Sequence, residues 1–261
     1  MSNYSSICLL AKDENEYINE WLNWHINVCK FDHIYIYDNE SKIPLKDSID
    51  KEYINYCTFI NWDSSMYKNN MQVECYHHFI FNYRKDNHWT AFIDTDEFIR
   101  VINGRNINQF LKEYEDYNGI YILWLMYNAN GQIKKEKGLV RERFTEYKMC
   151  DRKLSNGKCI IKPNEFRFMG AHFPFVRRNF NPNYRIVYSN KEKCDPYDDH
   201  TKGPIDTIVV DHYFTKSYEE WKEKLKRGSC DPNYIREYDE FFEYNPEMKY
   251  KNIDEMESDN K

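Results

Sequence analysis

Residues Trp89 to Arg100 read WTAFIDTDEFIR. The first five, Trp89 to Ile93, have the length and the aromatic and β-branched bias of a buried strand. Asp94, Asp96 and Glu97 follow at its C-terminal end, which is where ligands bind in open α/β sheets. Three acids within four residues repel one another, and taking even one out of water is costly. A cation offsets that cost. Asp94 and Asp96 are separated by one residue, so their oxygens can converge on one hard ion such as Mg²⁺ or Mn²⁺. A solvated acidic turn closing a strand explains the same residues, so the rest of the chain has to decide.

Upstream, Ser5 to Lys12 (SSICLLAK) fits a first buried strand. Asp13 and Glu16 form a capping pair for a helix with Tyr17, Trp21, Trp24 and Val28 at helical spacing. His25 lies near that apolar face and reads as a hydrogen-bonded core residue. His33 to Tyr37 is a second strand ending at Asp38. An acid there either accepts hydrogen bonds from a ribose or base or makes an Asx turn. Tyr56 to Ile60 is a third strand, and Asn70 to Tyr83 a helix carrying Gln72 and the pair His77–His78. Adjacent histidines on a helix point about 100° apart, so these two are packing and surface residues. Strand, helix, strand, strand, helix, strand predicts an α/β sheet whose first hundred residues form a nucleotide-binding half.

Downstream, Asn106 to Tyr114 is a short helix, and Gly119 to Tyr127 (GIYILWLMY) is the most hydrophobic strand and therefore central. Leu139 to Tyr147 reads as a short helix and Lys158 to Ile161 as a strand. His172 sits in GAHFPF, either at the pocket or as a structural histidine in a turn. The polar segment from Lys191 to Pro204 carries Asp198 and Asp199 and reads as a surface loop. Asp206 to Val210 is a last strand. Ser217 and Glu220 form a capping box on a helix that stops at Gly228. Asp231-Pro232 opens a further helix through Tyr244. One domain over 1–245 follows, divided into a nucleotide-binding half (1–104) and an acceptor half (105–245), with a polar tail over 246–261.

The net charge of −6 speaks against a nucleic-acid partner. No stretch has the character of a signal peptide or a membrane span. The eight cysteines include no CxxC pair and match no zinc spacing, which predicts free thiols in a reducing cytoplasm. No glycine precedes Gly104, which counts against a glycine-rich phosphate loop near the start.

Several stretches taken in order are more specific than any one. AKDENEYINEWLNWH, HIYIYDNES, QVECYHH, WTAFIDTDEFI, KCIIKP, AHFP and DHYFTKSYEEWKEKLKRG are distributed over nearly the whole chain. Together they resemble glycosyltransferase family 92 and the related family-2-like bacterial glycosyltransferases. The resemblance implies a GT-A fold, a Rossmann-like mixed sheet flanked by helices that binds a nucleotide sugar through a divalent metal. It implies inverting transfer of a hexose from a nucleotide-diphosphate sugar, a UDP-sugar first, to a cell-surface or lipid-linked glycan. Mn²⁺ or Mg²⁺ is the implied cofactor, with Asp94, Asp96 and a late histidine, His212, as ligands. Lys12, Asp38, Gln72, Asp94, Lys216 and Arg227 are the implied contacts to the nucleotide. Glu97, Asp199 and Asp211, together with Asp198, are candidates for the base that an inverting transfer needs. The setting implied is cytoplasmic, with a peripheral membrane contact through the basic segment Lys222 to Arg227. The alternatives are a nucleotide-sugar hydrolase or nucleotidyltransferase, and a non-catalytic carbohydrate-binding protein.

Overall fold

The structure is a computed structural model that describes residues 2–63, 65, 70–149, 156–175, 185–195, 200, 203–231 and 233–249. Its spine is a sheet in the spatial order Cys57–Asn61, His33–Asp38, Asn3–Ala11, Asn87–Phe92, Gly157–Ile161, Gly119–Tyr127, Ile208–His212, Glu97–Val101. The first half consists of β1 (Asn3–Ala11), β2 (His33–Asp38), β3 (Cys57–Asn61) and β4 (Asn87–Phe92), all mutually parallel. Parallel neighbours need crossovers. They are supplied by α1 (Ile18–Leu22) with the π-helical turn Asn23–Val28, by α2 (Leu45–Ser48) and by α3 (Met71–Tyr83). The parallel strands and their helical crossovers are the α/β arrangement expected from the order of elements.

The second half is mixed. β5 (Glu97–Val101) leaves the sheet for its far edge, and α4 (Ile107–Leu111) leads into β6 (Gly119–Tyr127). After α5 (Val140–Arg143) come β7 (Tyr147–Met149), β8 (Gly157–Ile161), β9 (Ile186–Val187) and β10 (Ile208–His212). β8 runs antiparallel between β4 and β6. β10 is parallel to β6 and antiparallel to β5. Helices α6 (Tyr218–Arg227) and α7 (Glu240–Tyr244) close the chain. The mixed sheet flanked by helices is the GT-A arrangement. Residues buried on both faces, such as Ile7, Leu9, Ile120 and Val209 on one side and Cys8, Phe92 and Cys159 on the other, form two cores. None of the helices among the described residues is long and apolar enough to cross a membrane.

Local departures have physical causes. Asp13 does not cap a helix. It has φ +54°, its carboxylate accepts from Lys42 N at 2.8 Å, and the helix starts later, at Ile18. β5 was hidden by the acids, because Glu97 belongs both to the acidic turn and to the strand it opens. The last strand runs to His212 rather than Val210, so the histidine is on the strand itself. The helix expected from Asp231 to Tyr244 is only Glu240–Tyr244 among the described residues. His25 is the core residue its place predicts. Its Nδ1 donates to Trp21 O (2.9 Å), its Nε2 accepts from Ile99 N (3.2 Å), and burial lowers its pKa to about 3. Seven cysteines are free thiols, and Cys150 lies outside the described residues.

Candidate active site

The acidic turn is held by backbone contacts that leave the carboxylates to other work. After β4 the chain reverses tightly, with Glu97 N donating to Asp94 O (3.1 Å). The Trp21 indole clamps the turn from below, donating to Asp94 O (3.1 Å) and Glu97 O (2.9 Å). Pairing of β5 with β10 then sets Glu97 opposite His212, and Tyr213 N donates to Asp96 O (2.8 Å). Strand register therefore brings together groups more than a hundred residues apart in sequence.

Asp96 and His212 face one another. Oδ1 of Asp96 and Nε2 of His212 are 3.6 Å apart, beyond a hydrogen bond. Oε1 of Glu97 lies 4.0 Å from the same nitrogen and has no hydrogen-bond partner among the described residues. Burial pushes the His212 imidazole down, keeping it neutral and able to act as a ligand. Burial also pushes the Asp96 carboxyl up, but the Lys224 ammonium and His212 outweigh it and hold the group well below the usual range. Lys224 Nζ donates to Asp96 Oδ2 and to Phe214 O, both at 2.7 Å.

Asp94 is turned elsewhere. One oxygen accepts from Gln72 Nε2 and the other from Lys158 Nζ at 2.9 Å. Gln72 also donates to Tyr76 Oη (3.0 Å), which fixes its amide. Lys158 is 2% exposed and lies 3.7 Å from Glu97. Burial would lower its pKa, but Asp94 and Glu97 outweigh that and raise it. The expected three-ligand set of Asp94, Asp96 and His212 is thus not assembled. Among the described residues no three carboxylate, imidazole or thiolate groups converge as a metal cage.

Gln72, Asp94, Asp96, Lys158, His212 and Lys224 line a cavity of about 680 Å³, within the range of small-molecule sites. Lys12, Asn39 and Gln72 from the parallel half line it, together with Trp124, His172, Phe214 and Tyr244 from the rest of the chain. His172 Nδ1 meets Gly157 O at 3.1 Å. A carbonyl only accepts, so this nitrogen carries the proton and Nε2 keeps its lone pair. Burial and the nearby Lys158 lower the His172 pKa to about 4. Arg227 also lines the cavity, donating to Lys12 O (2.8 Å) and pairing with Glu14 at 2.5 Å.

Four expected site residues are placed differently. Both oxygens of Asp38 are taken by Ser41 N (3.1 Å) and Leu45 N (2.8 Å), which is the Asx-turn reading, and its neighbour Asn39 lines the cavity instead. Asp211 is bound by Arg100 at 2.7 and 2.8 Å, outside the cavity lining, because neighbours on a strand alternate faces. Glu97 is fully buried and is not on the cavity lining, and burial pushes its carboxyl up against the pull of Lys158. Lys216 lies 3.7 Å from the Tyr17 ring centre and 3.8 Å from Glu14, not on the cavity. Asp198 and Asp199 lie outside the described residues.

Two cavity lysines escaped the sequence reading. Lys158 interrupts a wholly buried strand, and that was its signal. Lys224 follows buried Trp221 by three residues, which puts it on the inner face of α6. Lys222 to Arg227 is therefore not a uniform basic surface, since Lys224 and Arg227 point into the cavity.

Solved structures share this general arrangement at low similarity. A galactosyltransferase LgtC in complex with donor and acceptor sugar analogs is 10% identical, with 95% of this chain and 98% of that one covered at a TM-score of 0.42. TarS of S. aureus is 16% identical over 51% of this chain, which spans 23% of TarS, at 0.35. Glucosyl-3-phosphoglycerate synthase of Mycobacterium tuberculosis, with Mn²⁺ and UDP, is 11% identical over 47% of this chain and 44% of that one, at 0.31. No curated protein sequence matches significantly. The sequence pattern of one family, by contrast, runs almost from end to end, over residues 5–257, and on that match the chain belongs to glycosyltransferase family 92.

Proposed function

We propose that the chain is a metal-dependent, inverting hexosyltransferase that uses a nucleotide-diphosphate sugar, UDP-linked, and a glycan acceptor that is lipid-linked or at the cell surface. Family membership favours a transferase over the hydrolase, nucleotidyltransferase and carbohydrate-binding alternatives. The carrying observation is the Asp96–His212 gap on the cavity wall. A carboxylate oxygen and a neutral imidazole nitrogen are a suitable donor pair for Mn²⁺ or Mg²⁺. Such ions are commonly held by one or two protein groups plus substrate phosphates, so a three-group cage is not needed. When bound, the ion would neutralise charge growing on the departing diphosphate.

The protein's own groups supply the rest. Lys12 and Arg227 favour the anionic nucleotide end of the cavity. Asp94, fixed by Gln72 and Lys158, offers a rigid carboxylate to a ribose or sugar hydroxyl. Trp124 and Tyr244 give the acceptor end aromatic surface. As the acceptor oxygen bonds to the anomeric carbon, the bond to diphosphate breaks and its electron pair leaves with the diphosphate. The acceptor's proton goes to a base; among the described residues His172 Nε2 is the candidate, and Asp198 and Asp199 are candidates outside them. The test is thermal stabilisation by nucleotide sugars with and without Mn²⁺. A ligand at a hundred times its dissociation constant adds about 2.7 kcal/mol. Asp96→Ala should abolish the Mn²⁺-dependent part. Absence of a metal-dependent response to every nucleotide sugar would refute the proposal.

A further inference from the structure

We propose that Lys224 is a resident counter-cation that makes divalent-ion binding conditional on the diphosphate. This rests on the metal-dependent reading above. Each acidic group of the DxD motif already has its own ammonium: Asp94 pairs with Lys158 at 2.9 Å and Asp96 with Lys224 at 2.7 Å. A divalent ion entering alone beside Asp96 and His212 meets a carboxylate already paired with an ammonium, and that ammonium stands at close range. Like charges at a few ångströms in a protein cost several-fold to a hundredfold in affinity.

Lys224 is also not free to swing away at no cost. Its nitrogen is bonded to Phe214 O at 2.7 Å and lies 4.1 Å from the Phe214 ring centre, and its side chain is 12% exposed. An ammonium has three donors. Two are used on Asp96 and Phe214, and the residue lines the cavity. A diphosphate supplies both missing elements. Its negative charge compensates the ion, and one of its oxygens can accept the third N–H of Lys224. Ion and diphosphate therefore enter as a mutually dependent pair, which keeps the site from being filled by metal without substrate. Reciprocity requires that each tighten the other by the same factor.

The experiment is Mn²⁺ titration followed by the electron-paramagnetic-resonance signal of the free ion, with and without UDP, for wild type, Lys224→Met, Lys224→Gln and Lys224→Arg. Circular-dichroism melts identify the folded variants. Wild type is expected to bind Mn²⁺ alone weakly and about tenfold or more tighter with UDP. Lys224→Met and Lys224→Gln should bind Mn²⁺ alone about tenfold tighter than wild type and lose most of the UDP coupling. Lys224→Arg, which keeps the charge, should retain it. If both neutral variants bind Mn²⁺ alone no tighter than wild type, while wild type takes it up with UDP, the inference is overturned and the metal-dependent function stands. If wild type binds UDP but never Mn²⁺, the functional reading itself fails and this inference falls with it.

Discussion

Replacing Lys158 by methionine removes the buried cation under the acidic turn and leaves a side chain of similar length. The ammonium is 2.9 Å from Asp94, 3.7 Å from Glu97 and bonded to Ala171 O at 3.2 Å. At an effective dielectric of about 20 the Asp94 contact alone is worth roughly 6 kcal/mol before desolvation. Breaking a buried pair typically costs about 3–5 kcal/mol net. The Asp94 side chain is 33% exposed, so water recovers part of that, and a loss of about 2–3 kcal/mol is expected. Urea unfolding gives the number through the shift in midpoint at constant slope. The pH dependence has a definite sign. Lys158 has a raised pKa in the folded state, so its contribution is full below the unfolded lysine value of about 10.4 and is lost only as pH rises through the folded one. The difference between wild type and Lys158→Met should accordingly be flat from about pH 6 to 9. Adding Asp94→Asn to the methionine variant should restore part of the loss, because the uncompensated charge is then gone. A single-variant loss under about 0.5 kcal/mol, or no recovery in the double variant, would refute the picture of a stabilising buried pair.

His25 has its pKa lowered to about 3 by burial, so the unfolded chain takes up the proton first as pH falls; stability should fall by up to about 1.4 kcal/mol per pH unit below about 6.5, and His25→Gln should flatten that slope in urea midpoints measured from pH 7 to 4.5. A Cβ on Gly157 would lie 2.2 Å from Ile122 O, so Gly157→Ala must push β8 away from β6; it should cost about 1–3 kcal/mol by the same assay and weaken nucleotide binding by displacing Lys158, and wild-type values for both would contradict the packing described.

The parts of the fold that could be read from the sequence are those governed by local pattern. The buried runs of β1, β2, β4 and β6 carry periodicity or length that needs no partner to recognise, and Ser217 with Glu220 makes the capping box it promised. What was not legible depends on pairing across the chain. Nothing local says that β8 turns antiparallel between β4 and β6, and so nothing local says that Lys158 lies beneath Asp94. The same holds for Asp211 and His212. Only the register of β10 decides which of the two meets Asp96 and which meets Arg100. Asp38 was legible as an acid at a strand end, but its function as a turn former depends on Ser41 and Leu45 offering their N–H groups.

The ladder between β5 and β10 has a kinetic consequence. Glu97 and His212 are partners in that ladder, yet the chain between them must first lay down β6 and β8, on which β10 in turn depends. Non-local pairing of this kind pays a loop-closure cost before any contact returns it, and it is slow. During synthesis the N-terminal half can collapse while the acids still lack their histidine. The proposed competence to bind metal with nucleotide should therefore arrive as a late phase in refolding, after the bulk of the secondary structure, so that ligand uptake times the docking of one strand.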